Sequence, residues 1–330
     1  MKTILTGITA SGNMHIGNYI GAIHNALRFS RDNKCIFFVA DLHGITTKWE
    51  PKKLGDIIRE VLICYLAAGF EKDNCHFFLQ SQNPDHSYLA WLFDCVIPVT
   101  WMQNMIQYKE KVKKYGIDAS MGLMNYPALM AADILLYNPV FIPVGADQQK
   151  HVELTRDIAQ RINRVYGEIF SYPQAVLPVV GSRTRNLQHP NKKMSKSDHD
   201  QSGVIQLLES PDSAVKKIKR AVTDSVGTIA YDPENRPEVS NLIDIYSLFA
   251  GISVEQVVLQ YEGKGYADFK KDLAEIMYQF LVNFQKKYFE ISSNPEYVNA
   301  IIEKGLIEAR KISSLQIAKV KDLMGFVEKF

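Results

Sequence analysis

The amino-acid sequence predicts an α/β fold with a doubly wound parallel sheet, followed by an all-helical domain. Short apolar runs alternate with helical stretches through the first half, which is typical of a parallel sheet with helices on both faces. After about Gly203 the strand signals cease and helical periodicity continues. We therefore expect one domain over residues 1–205 and a helical domain over residues 206–330, whose last helix packs back on the first domain.

Four short runs rich in Ile, Phe and Val predict the strands, over Thr3–Ile8, Cys35–Ala40, Cys75–Leu79 and Val140–Val144. Helical patterns lie between and after them, over Asn18–Ser30, Pro51–Ala68 and Asp147–Tyr166. In the last of these, apolar residues up to Val165 recur on one face. The second half predicts helices over Pro211–Ala221, Val239–Ala250, Val254–Tyr261, Tyr266–Phe289 and Pro295–Lys329.

Composition excludes several classes of protein. The 330 residues are 46% hydrophobic and 22% charged, with a net charge of +2, which argues against disorder and against a broadly basic coat. The uncharged runs fall short of the ~20 residues of a membrane helix, and no secretory signal is evident. Four separated cysteines form no Cys-x-x-Cys pair, so we expect buried free thiols in a cytoplasmic protein without a membrane partner.

A glycine-rich turn follows the first predicted strand. Gly7, Gly12 and Gly17 let the backbone approach a ligand closely, and the helix that begins there points N–H groups at an anion. His15 and Asn18 lie one helical turn apart and can reach the same phosphate. The spacing differs from that of a P-loop and of a dinucleotide-binding fingerprint. Taken alone, the segment also fits an ordinary strand–turn–helix connection with a capping Asn.

A second motif, KMSKS at residues 193–197, lies in a polar stretch without periodicity, residues 181–200. Two lysines separated by a short spacer with a hydroxyl can clamp a polyphosphate, because their charges can follow negative charge that grows in a transition state. Taken alone, such a run also fits a solvated loop. Its combination with residues 15–18 favours the phosphate-binding interpretation.

The two motifs together resemble a known family. Residues 15–18, His-Ile-Gly-Asn, resemble the HIGH signature of class I aminoacyl-tRNA synthetases with Asn in the final place, and residues 193–197 match the KMSKS signature without change. Intervening stretches are similar to the tryptophanyl-tRNA synthetases in particular, namely Gly17–Gly21, Tyr126–Leu135, Pro143–Gln148 and Ala221–Ser225. The resemblance covers nearly the whole chain. It implies a HIGH-type, Rossmann-like nucleotide-binding domain followed by a helical anticodon-binding region.

The reaction that this resemblance implies is the activation of L-tryptophan by ATP with Mg²⁺. It gives tryptophanyl-adenylate and pyrophosphate, and the amino acid then passes to the 3′ end of tRNA(Trp). We expect no covalent enzyme intermediate, no tightly bound prosthetic group and no metal on protein side chains, so that catalysis is positioning plus electrostatics. The implied partners are L-tryptophan, ATP, tRNA(Trp) and a second copy of the chain in a homodimer.

The resemblance also implies site residues. Contacts with ATP are expected from Thr9, Ala10, Ser11, Gly17, Asn18, Gly145, Ala146, Asp147, Thr184, Lys193, Met194, Ser195, Lys196 and Ser197. The catalytic set is His15, Asn18, Lys193, Lys196 and Lys111, with a solvated basic helix face as the alternative for Lys111. Tryptophan is expected to contact Tyr126 and Gln148 at its α-amino group, and Gly7, His43, Met130, Asp133, Ile142 and Val144 around the indole. An ordinary core histidine is the alternative for His43.

Asp133 also has a physical argument of its own. It is the only charge in the apolar segment after Pro127, where we predict a helix to begin. If that helix includes Tyr126, then Tyr126, Met130, Asp133 and Tyr137 share one face. A carboxylate in apolar surroundings is costly unless it is paired. The indole N–H of a substrate is one partner, and it would lead the pocket to reject Phe; a structural pair with an Arg or Lys is the alternative.

Two positions depart from the usual pattern of the family. Thr9 stands where Gln is common, and Ala146 stands where Glu is common. Backbone contacts with ATP can persist at both positions, whereas the side-chain contributions are in question.

In the helical half, we expect tRNA to meet the basic cluster Lys216, Lys217, Lys219 and Arg220 and the bases to stack on Tyr261, Tyr266, Tyr278 and Tyr288. Core tyrosines and solvated lysines are the alternatives.

Three rival functions are compatible with parts of the sequence. A tyrosine-activating enzyme would need a pocket for a phenol oxygen, which the segment from Tyr126 to Asp133 disfavours. A catalytically silent relative that only binds tRNA or regulates tryptophan use is disfavoured by His15, Asp133 and the intact lysines. A nicotinamide dehydrogenase is disfavoured by the missing fingerprint.

Overall fold

The computed structural model describes residues 3–10, 13–70, 74–139, 141–145, 148–176, 184–195 and 200–327, without the side chains of residues 107, 111, 114, 115 and 117. Its centre is a five-stranded parallel sheet of strand order β3-β2-β1-β4-β5. The strands are Thr3–Thr9 (β1), Lys34–Ala40 (β2), Cys75–Leu79 (β3), Phe141–Pro143 (β4) and Gln174–Val176 (β5). The order changes direction between β1 and β4, so the carboxyl ends of these strands border the crevice where doubly wound folds bind ligands.

Fourteen α-helices can be defined in the described residues. Those of the first half are Ile16–Asn18 (α1), Asn25–Ser30 (α2), Asp41–Gly44 (α3), Pro51–Ala67 (α4), Asp85–Asp94 (α5), Val99–Gln103 (α6), Ile106–Tyr115 (α7), Met121–Leu135 (α8) and Gln149–Tyr166 (α9). Those of the second half are Pro211–Arg220 (α10), Pro237–Ala250 (α11), Val254–Gln260 (α12), Tyr266–Ser292 (α13) and Pro295–Met324 (α14). The doubly wound parallel sheet followed by helices is therefore confirmed.

Some predicted elements need correction. The helix predicted over Asn18–Ser30 is interrupted by a π-helical turn, Tyr19–His24, between α1 and α2. The fourth strand is shorter than predicted, and Val140 lies outside the described residues. Strand β5 was not predicted, because three residues carry too little alternation to stand out from a loop.

The two faces of the sheet build two apolar cores because side chains alternate along each strand. Ile4 and Phe37 face a core formed with α4 and with the second-half helices α10, α11 and α13. Their neighbours Leu5 and Phe38 face the opposite core, formed with α5, α8, α9 and α14. The second half of the chain therefore contributes to both faces of the sheet.

The first core runs without interruption past residue 205. Ile205 and Leu207 are fully buried in it together with Ile16 from the first half and Leu242 from the second. Helix α13 also packs against α4. The helical half is thus joined to the sheet by shared apolar burial.

Two predictions about which residues are buried are wrong in part: one concerns the apolar face of α9 and the other the four cysteines. Val165 in α9 is 60% exposed and lies off the buried face of that helix. Of the four cysteines, all free, Cys35 and Cys64 are buried, but Cys75 is half-buried and Cys95 is exposed.

Helix α14 lies directly against the backbone of β3, an edge strand of the sheet. A Cβ atom on Gly305 would come within 1.8 Å of the Phe77 carbonyl oxygen. The contact therefore requires glycine at this helical position, although glycine is a poor helix former.

We expect Gly305→Ala to lower the free energy of unfolding by about 1–3 kcal/mol, because the added methyl group must push α14 away from β3. Gly55→Ala is the matched control. Gly55 is an exposed glycine inside α4 with open space around its Cβ position, so alanine there should stabilise by about 0.5–1 kcal/mol. Urea unfolding of the two variants measures both effects, and a Gly305→Ala variant as stable as wild type would contradict the close contact.

Within the part of the chain that the structure describes, no single helix is long and apolar enough to span a membrane. Helices α11 and α12 meet the length and composition criteria only as a pair, and they are bent by 105° at the break between them.

Candidate active site

The HIGH-like segment forms a compact turn after β1. The His15 backbone N–H donates to Asn18 Oδ1 over 3.2 Å at the start of α1. The Gly17 backbone lies so close to the His15 ring that a Cβ atom on Gly17 would be 2.9 Å from His15 Cε1 and Nδ1. The same Cβ would lie 3.6 Å from Met194 Cβ. Residues of the two signature motifs, far apart in the sequence, therefore lie next to each other.

Backbone hydrogen bonds hold this turn against the chain that follows the KMSKS segment. The Ile16 N–H donates to the Ile205 carbonyl over 2.9 Å, and the Leu207 N–H donates to the Met14 carbonyl over 2.8 Å. They flank an antiparallel bridge between His15 and Gln206. The position of the first motif is thus coupled to the chain just past the second.

The described part of the KMSKS loop is anchored at its start. The Met194 N–H donates to the Thr184 carbonyl over 2.9 Å, and both residues are buried. Asn241 of α11 exchanges two hydrogen bonds with the backbone of Arg185, at 2.8 and 3.2 Å. Lys193 is exposed beside the buried Met194. This arrangement leaves the lysine side chain in solvent while its backbone is held in place.

Several predicted residues lie outside the described residues, namely Ser11, Ala146, Asp147, Lys196 and Ser197. Lys111 lies in α7, and its side chain is not described. Thr9 ends β1, and the buried Ala10 follows it. Ser195 follows Met194 and is half-buried. Within the described ranges, no group of three or more His, Cys, Asp or Glu side chains is placed to hold a metal ion.

The carboxyl end of β4 supplies the opposite wall of the crevice. Ile142 is buried, and the half-buried Val144 donates its N–H to the Val176 carbonyl over 3.1 Å. Gly145 follows, and its carbonyl accepts the N–H of Gln148 over 2.9 Å at the start of α9. Gln148 is thereby placed beside the switch point of the sheet.

Asp133 is buried at 2% exposure and lies at the centre of a polar cluster. His43 Nε2 lies 2.8 Å from its Oδ2 atom. Gln80 Nε2 and His86 Nδ1 each lie 2.6 Å from its Oδ1 atom. The internal partners of this carboxylate are therefore two histidines and an amide, whereas the sequence alternative named an Arg or Lys.

The cluster keeps the carboxylate ionised. Burial by itself raises the pKa of Asp133, but hydrogen bonds from His43 and His86 and their charge outweigh it and lower the pKa to about 2. A carboxylate offers about four lone-pair sites. Among the described residues three donors, His43, Gln80 and His86, occupy three of these sites, so one remains for a further N–H.

Sequence reasoning missed Gln80 and His86. Gln80 directly follows β3, and His86 is in the first turn of α5. Because the carboxyl ends of parallel strands meet at one edge of a sheet, the position of Gln80 after a predicted strand was a usable signal. His86, which is fully buried, had no such local signal.

Helix α8 carries three of the predicted pocket residues. It begins at Met121, where the Ser120 hydroxyl caps it by accepting the Leu123 N–H, so the predicted start at Pro127 is wrong. The helix therefore includes Tyr126, as the shared-face argument requires, with Met130 and Asp133 one and two turns further on. Pro127 is tolerated inside it at the loss of one backbone hydrogen bond.

Tyr126 lies between two histidines. Its hydroxyl is 3.0 Å from His151 Nε2, and its ring centroid is 6.3 Å from that of His43. Burial raises the pKa of Tyr126 to about 12, so the hydroxyl stays protonated at neutral pH. Met130 is half-buried on the same helix. The structure thus brings Tyr126, His43 and Asp133 together.

Gly7 lies on β1 beside this cluster. A Cβ atom at position 7 would come within 2.6 Å of Phe38 Cζ, and the Phe38 ring packs 5.5 Å from the His86 ring. Any larger residue would have to displace the buried Phe38 ring, which packs against the histidine that contacts Asp133. Glycine is therefore required by packing at this position.

The predicted tRNA-binding residues are separated by the structure. Lys216, Lys219 and Arg220 are exposed on α10, but Lys217 Nζ bonds Glu209 Oε2 over 2.5 Å and the Val204 carbonyl over 2.7 Å. Tyr261 is buried at 1% exposure, so its prediction as a stacking platform is wrong. Tyr266, Tyr278 and Tyr288 are half-buried.

Comparisons with known proteins agree with this geometry. Residues 1–282 match the family model described as tRNA synthetases class I (W and Y). A tryptophan–tRNA ligase of Rickettsia conorii is 44% identical over 327 residues, covering 99% of both chains, and one of Bacillus anthracis is 42% identical over 330 residues, covering 100% of this chain and 99% of its own.

Two solved structures are similar along nearly the whole chain. A tryptophanyl-tRNA synthetase from Mycoplasma pneumoniae is 35% identical with a TM-score of 0.90, covering 99% of this chain and 98% of its own. One from Campylobacter jejuni, complexed with ADP and tryptophan, is 33% identical with a TM-score of 0.82, covering 98% and 100%. The close approach of the two signature segments, the parallel sheet and these full-length similarities lead to one conclusion: the chain belongs to the class I tRNA synthetases of the tryptophan and tyrosine group.

Proposed function

We propose that the chain is a tryptophan–tRNA ligase, which activates L-tryptophan with ATP and transfers it to tRNA(Trp). The close approach of Gly17 and Met194 carries the proposal, because it places the two signature motifs side by side. The full-length relatives named tryptophan–tRNA ligase support it. So does the related Campylobacter jejuni structure with ADP and tryptophan.

The activation step needs no covalent bond to the enzyme. An oxygen of the tryptophan carboxylate forms a bond to the α-phosphorus of Mg·ATP while the bond to the bridging oxygen of pyrophosphate breaks. We assign to Lys193 and Lys196 the stabilisation of charge on the departing pyrophosphate, with Lys111 approaching the same phosphates. His15 and Asn18 complete the catalytic set at the first turn.

ATP is proposed to bind across the crevice between β1 and β4. Thr9, Ala10, Ser11 and Gly17 would supply contacts at the first turn. Gly145, Ala146 and Asp147 would hold the ribose side, and the buried Thr184 would lie near the adenine, with Met194, Ser195 and Ser197 completing the loop over the phosphates. The Mg²⁺ arrives with ATP as part of the substrate.

Tryptophan is proposed to occupy the space beside the Asp133 cluster. The remaining acceptor site of the carboxylate would take the indole N–H, and Gly7, His43, Met130, Ile142 and Val144 would surround the ring. Tyr126 and Gln148 would meet the α-amino group. Phenylalanine brings no donor to Asp133, so the pocket would discriminate against it.

Transfer and assembly involve the outer surfaces. Residues 206–330 are proposed as the anticodon-binding region, with the exposed Lys216, Lys219 and Arg220 near its junction with the catalytic domain of residues 1–205.

Four large apolar side chains on α5 to α8 are more than half exposed: Trp91, Val99, Ile106 and Met121. We propose that these exposed apolar side chains meet a second copy of the chain. We propose a cytoplasmic homodimer.

Amino-acid-dependent exchange between ATP and pyrophosphate tests the proposal. Each of the twenty amino acids is supplied in turn with Mg²⁺ and labelled pyrophosphate. We expect exchange with tryptophan alone, because only tryptophan combines an indole-sized ring with a single N–H donor. Exchange with tyrosine instead would retain the fold and overturn the specificity. Absence of exchange with every amino acid would support a silent relative that only binds tRNA or regulates tryptophan use.

A further inference from the structure

Helix α14 is connected to Asp133 by buried polar side chains that the proposed mechanism does not use. Beyond Asp133 itself, the members are His86, Tyr137, Asn83 and Ser313, each at most 3% exposed. They join three separate parts of the chain: α8 with the residues just after it, the start of α5 and the middle of α14. Because a buried polar group must be satisfied, each contact constrains the next one.

The Asn83 amide has one possible orientation. Its Nδ2 group donates to Tyr137 Oη over 3.1 Å and to Ser313 Oγ over 3.0 Å. Its Oδ1 atom accepts the Asp85 N–H over 3.3 Å. Reversing the amide would place two N–H groups against each other at Asp85, so the two hydroxyls each accept one hydrogen bond from Asn83.

The remaining contacts extend this arrangement on both arms. Tyr137 Oη lies 2.8 Å from His86 Nε2 and fixes the position of that end of the ring. His86 Nδ1 lies 2.6 Å from Asp133 Oδ1 and donates to it, because a carboxylate only accepts. On the other arm, Ser313 Oγ donates to Asp85 Oδ2 over 2.6 Å. The orientation of the His86 ring is therefore held by groups that reach as far as α14.

Helix α14 is fixed strongly enough to act as the anchor. Arg310 donates from a guanidinium nitrogen to the Gln82 carbonyl over 2.6 Å, one helical turn before Ser313. Gly305 brings the same helix into contact with the backbone of β3. Helix α14 thus holds the segment between Gln80 and His86, and these two end residues donate to Asp133.

We propose that Asn83, Tyr137 and Ser313 are positioning residues for tryptophan recognition, which hold the orientation of the His86 ring and through it the direction of the free acceptor site of Asp133. This inference rests on the proposed function. The three residues touch no substrate and act only through His86. Their loss should therefore weaken the binding of tryptophan without affecting that of ATP.

The test measures KM for tryptophan and KM for ATP separately in the exchange reaction. Tyr137→Phe removes the hydroxyl that is hydrogen-bonded to His86 and should raise KM for tryptophan about 10-fold; Ser313→Ala, two hydrogen bonds further away, should raise it about threefold. KM for ATP should stay at the wild-type value in both. Ser313→Thr keeps the hydroxyl and should restore the wild-type value. Ser314→Ala is the matched control, since the exposed Ser314 reaches the same Asp85 carboxylate only at 3.5 Å.

A second measurement reads the surroundings of His86 directly. Side-chain ¹⁵N spectra of histidine-labelled protein should show a changed His86 Nε2 resonance, assigned by its loss in His86→Gln, in Tyr137→Phe, where the contact of that nitrogen with the phenol is lost. An unchanged KM for tryptophan in Tyr137→Phe, or an equal rise in KM for both substrates, would overturn the inference while wild-type exchange persists. Wild-type protein without any exchange would instead overturn the proposed function, and the inference with it.

Discussion

Asp133→Asn is expected to lower kcat/KM for tryptophan about 100-fold in the exchange reaction, with KM for ATP unchanged. The carboxylate is the acceptor for three internal donors, from His43, Gln80 and His86. An asparagine of the same size offers one oxygen and turns an N–H₂ group towards the others. A lost hydrogen bond to a charged group costs about 1.5–3 kcal/mol, which corresponds to roughly 10- to 100-fold. The additional misplacement of the donors sets the expected loss at the upper end.

Discrimination among amino acids gives the more diagnostic readout. Asp133→Ala should bind ATP and should lose its preference for tryptophan over phenylalanine and tyrosine, because no acceptor then distinguishes an indole N–H from a ring C–H. Thermal melting of each variant accompanies the kinetics, since breaking a buried ion pair also destabilises the fold. Asp94→Asn is the control: Asp94 is bonded to Asn125 of the same helix α8 but lies outside the cluster. Unchanged discrimination in Asp133→Ala would exclude our account of the pocket.

Lys193→Ala is expected to lower kcat about 100- to 1,000-fold with little change in KM for tryptophan. A charged donor that acts on developing negative charge contributes in the transition state more than in the ground state, and removal of one such donor has effects of this size. The substitution should leave the loop in place, because Met194 is buried and its N–H is bonded to Thr184.

Lys192→Ala is the matched control for Lys193. Lys192 is an exposed neighbour of the same charge, and its backbone also takes part in the turn. Single-turnover formation of the adenylate at saturating ATP separates chemistry from binding. Equal losses in the two lysine variants would mean that the effect is a general one of positive charge near the loop, and would exclude a specific role for Lys193.

The fold could be predicted because its signals are local. Each of β1, β2 and β3 contains at least three consecutive buried residues, so both faces are covered there, and the apolar residues among them stand out in the sequence. The two signature motifs likewise lie in short continuous segments. The start of α8 was also encoded locally, in the capping residue Ser120, but Pro127 gave a competing signal of the same kind.

The surroundings of Asp133 could not be predicted in the same way. Its partners are 47, 53 and 90 residues away in the sequence, and which of the eight histidines approach it depends on how α5 and α3 pack against α8. The burial argument correctly stated that the carboxylate needs a partner. It could not state that the protein supplies three of them and leaves one acceptor site open.

The contact between α14 and β3 has a consequence for the synthesis of the chain. Asn83 and Ser313 are 230 residues apart, so at about 5–20 residues per second the ribosome needs about 10 to 50 seconds to make the segment between them. Throughout that interval β3 is an edge strand without its helix, the kind of exposed edge on which unfinished chains associate. Ribosome-bound chains that lack α14 should therefore depend on chaperones and remain unable to activate tryptophan until that helix emerges.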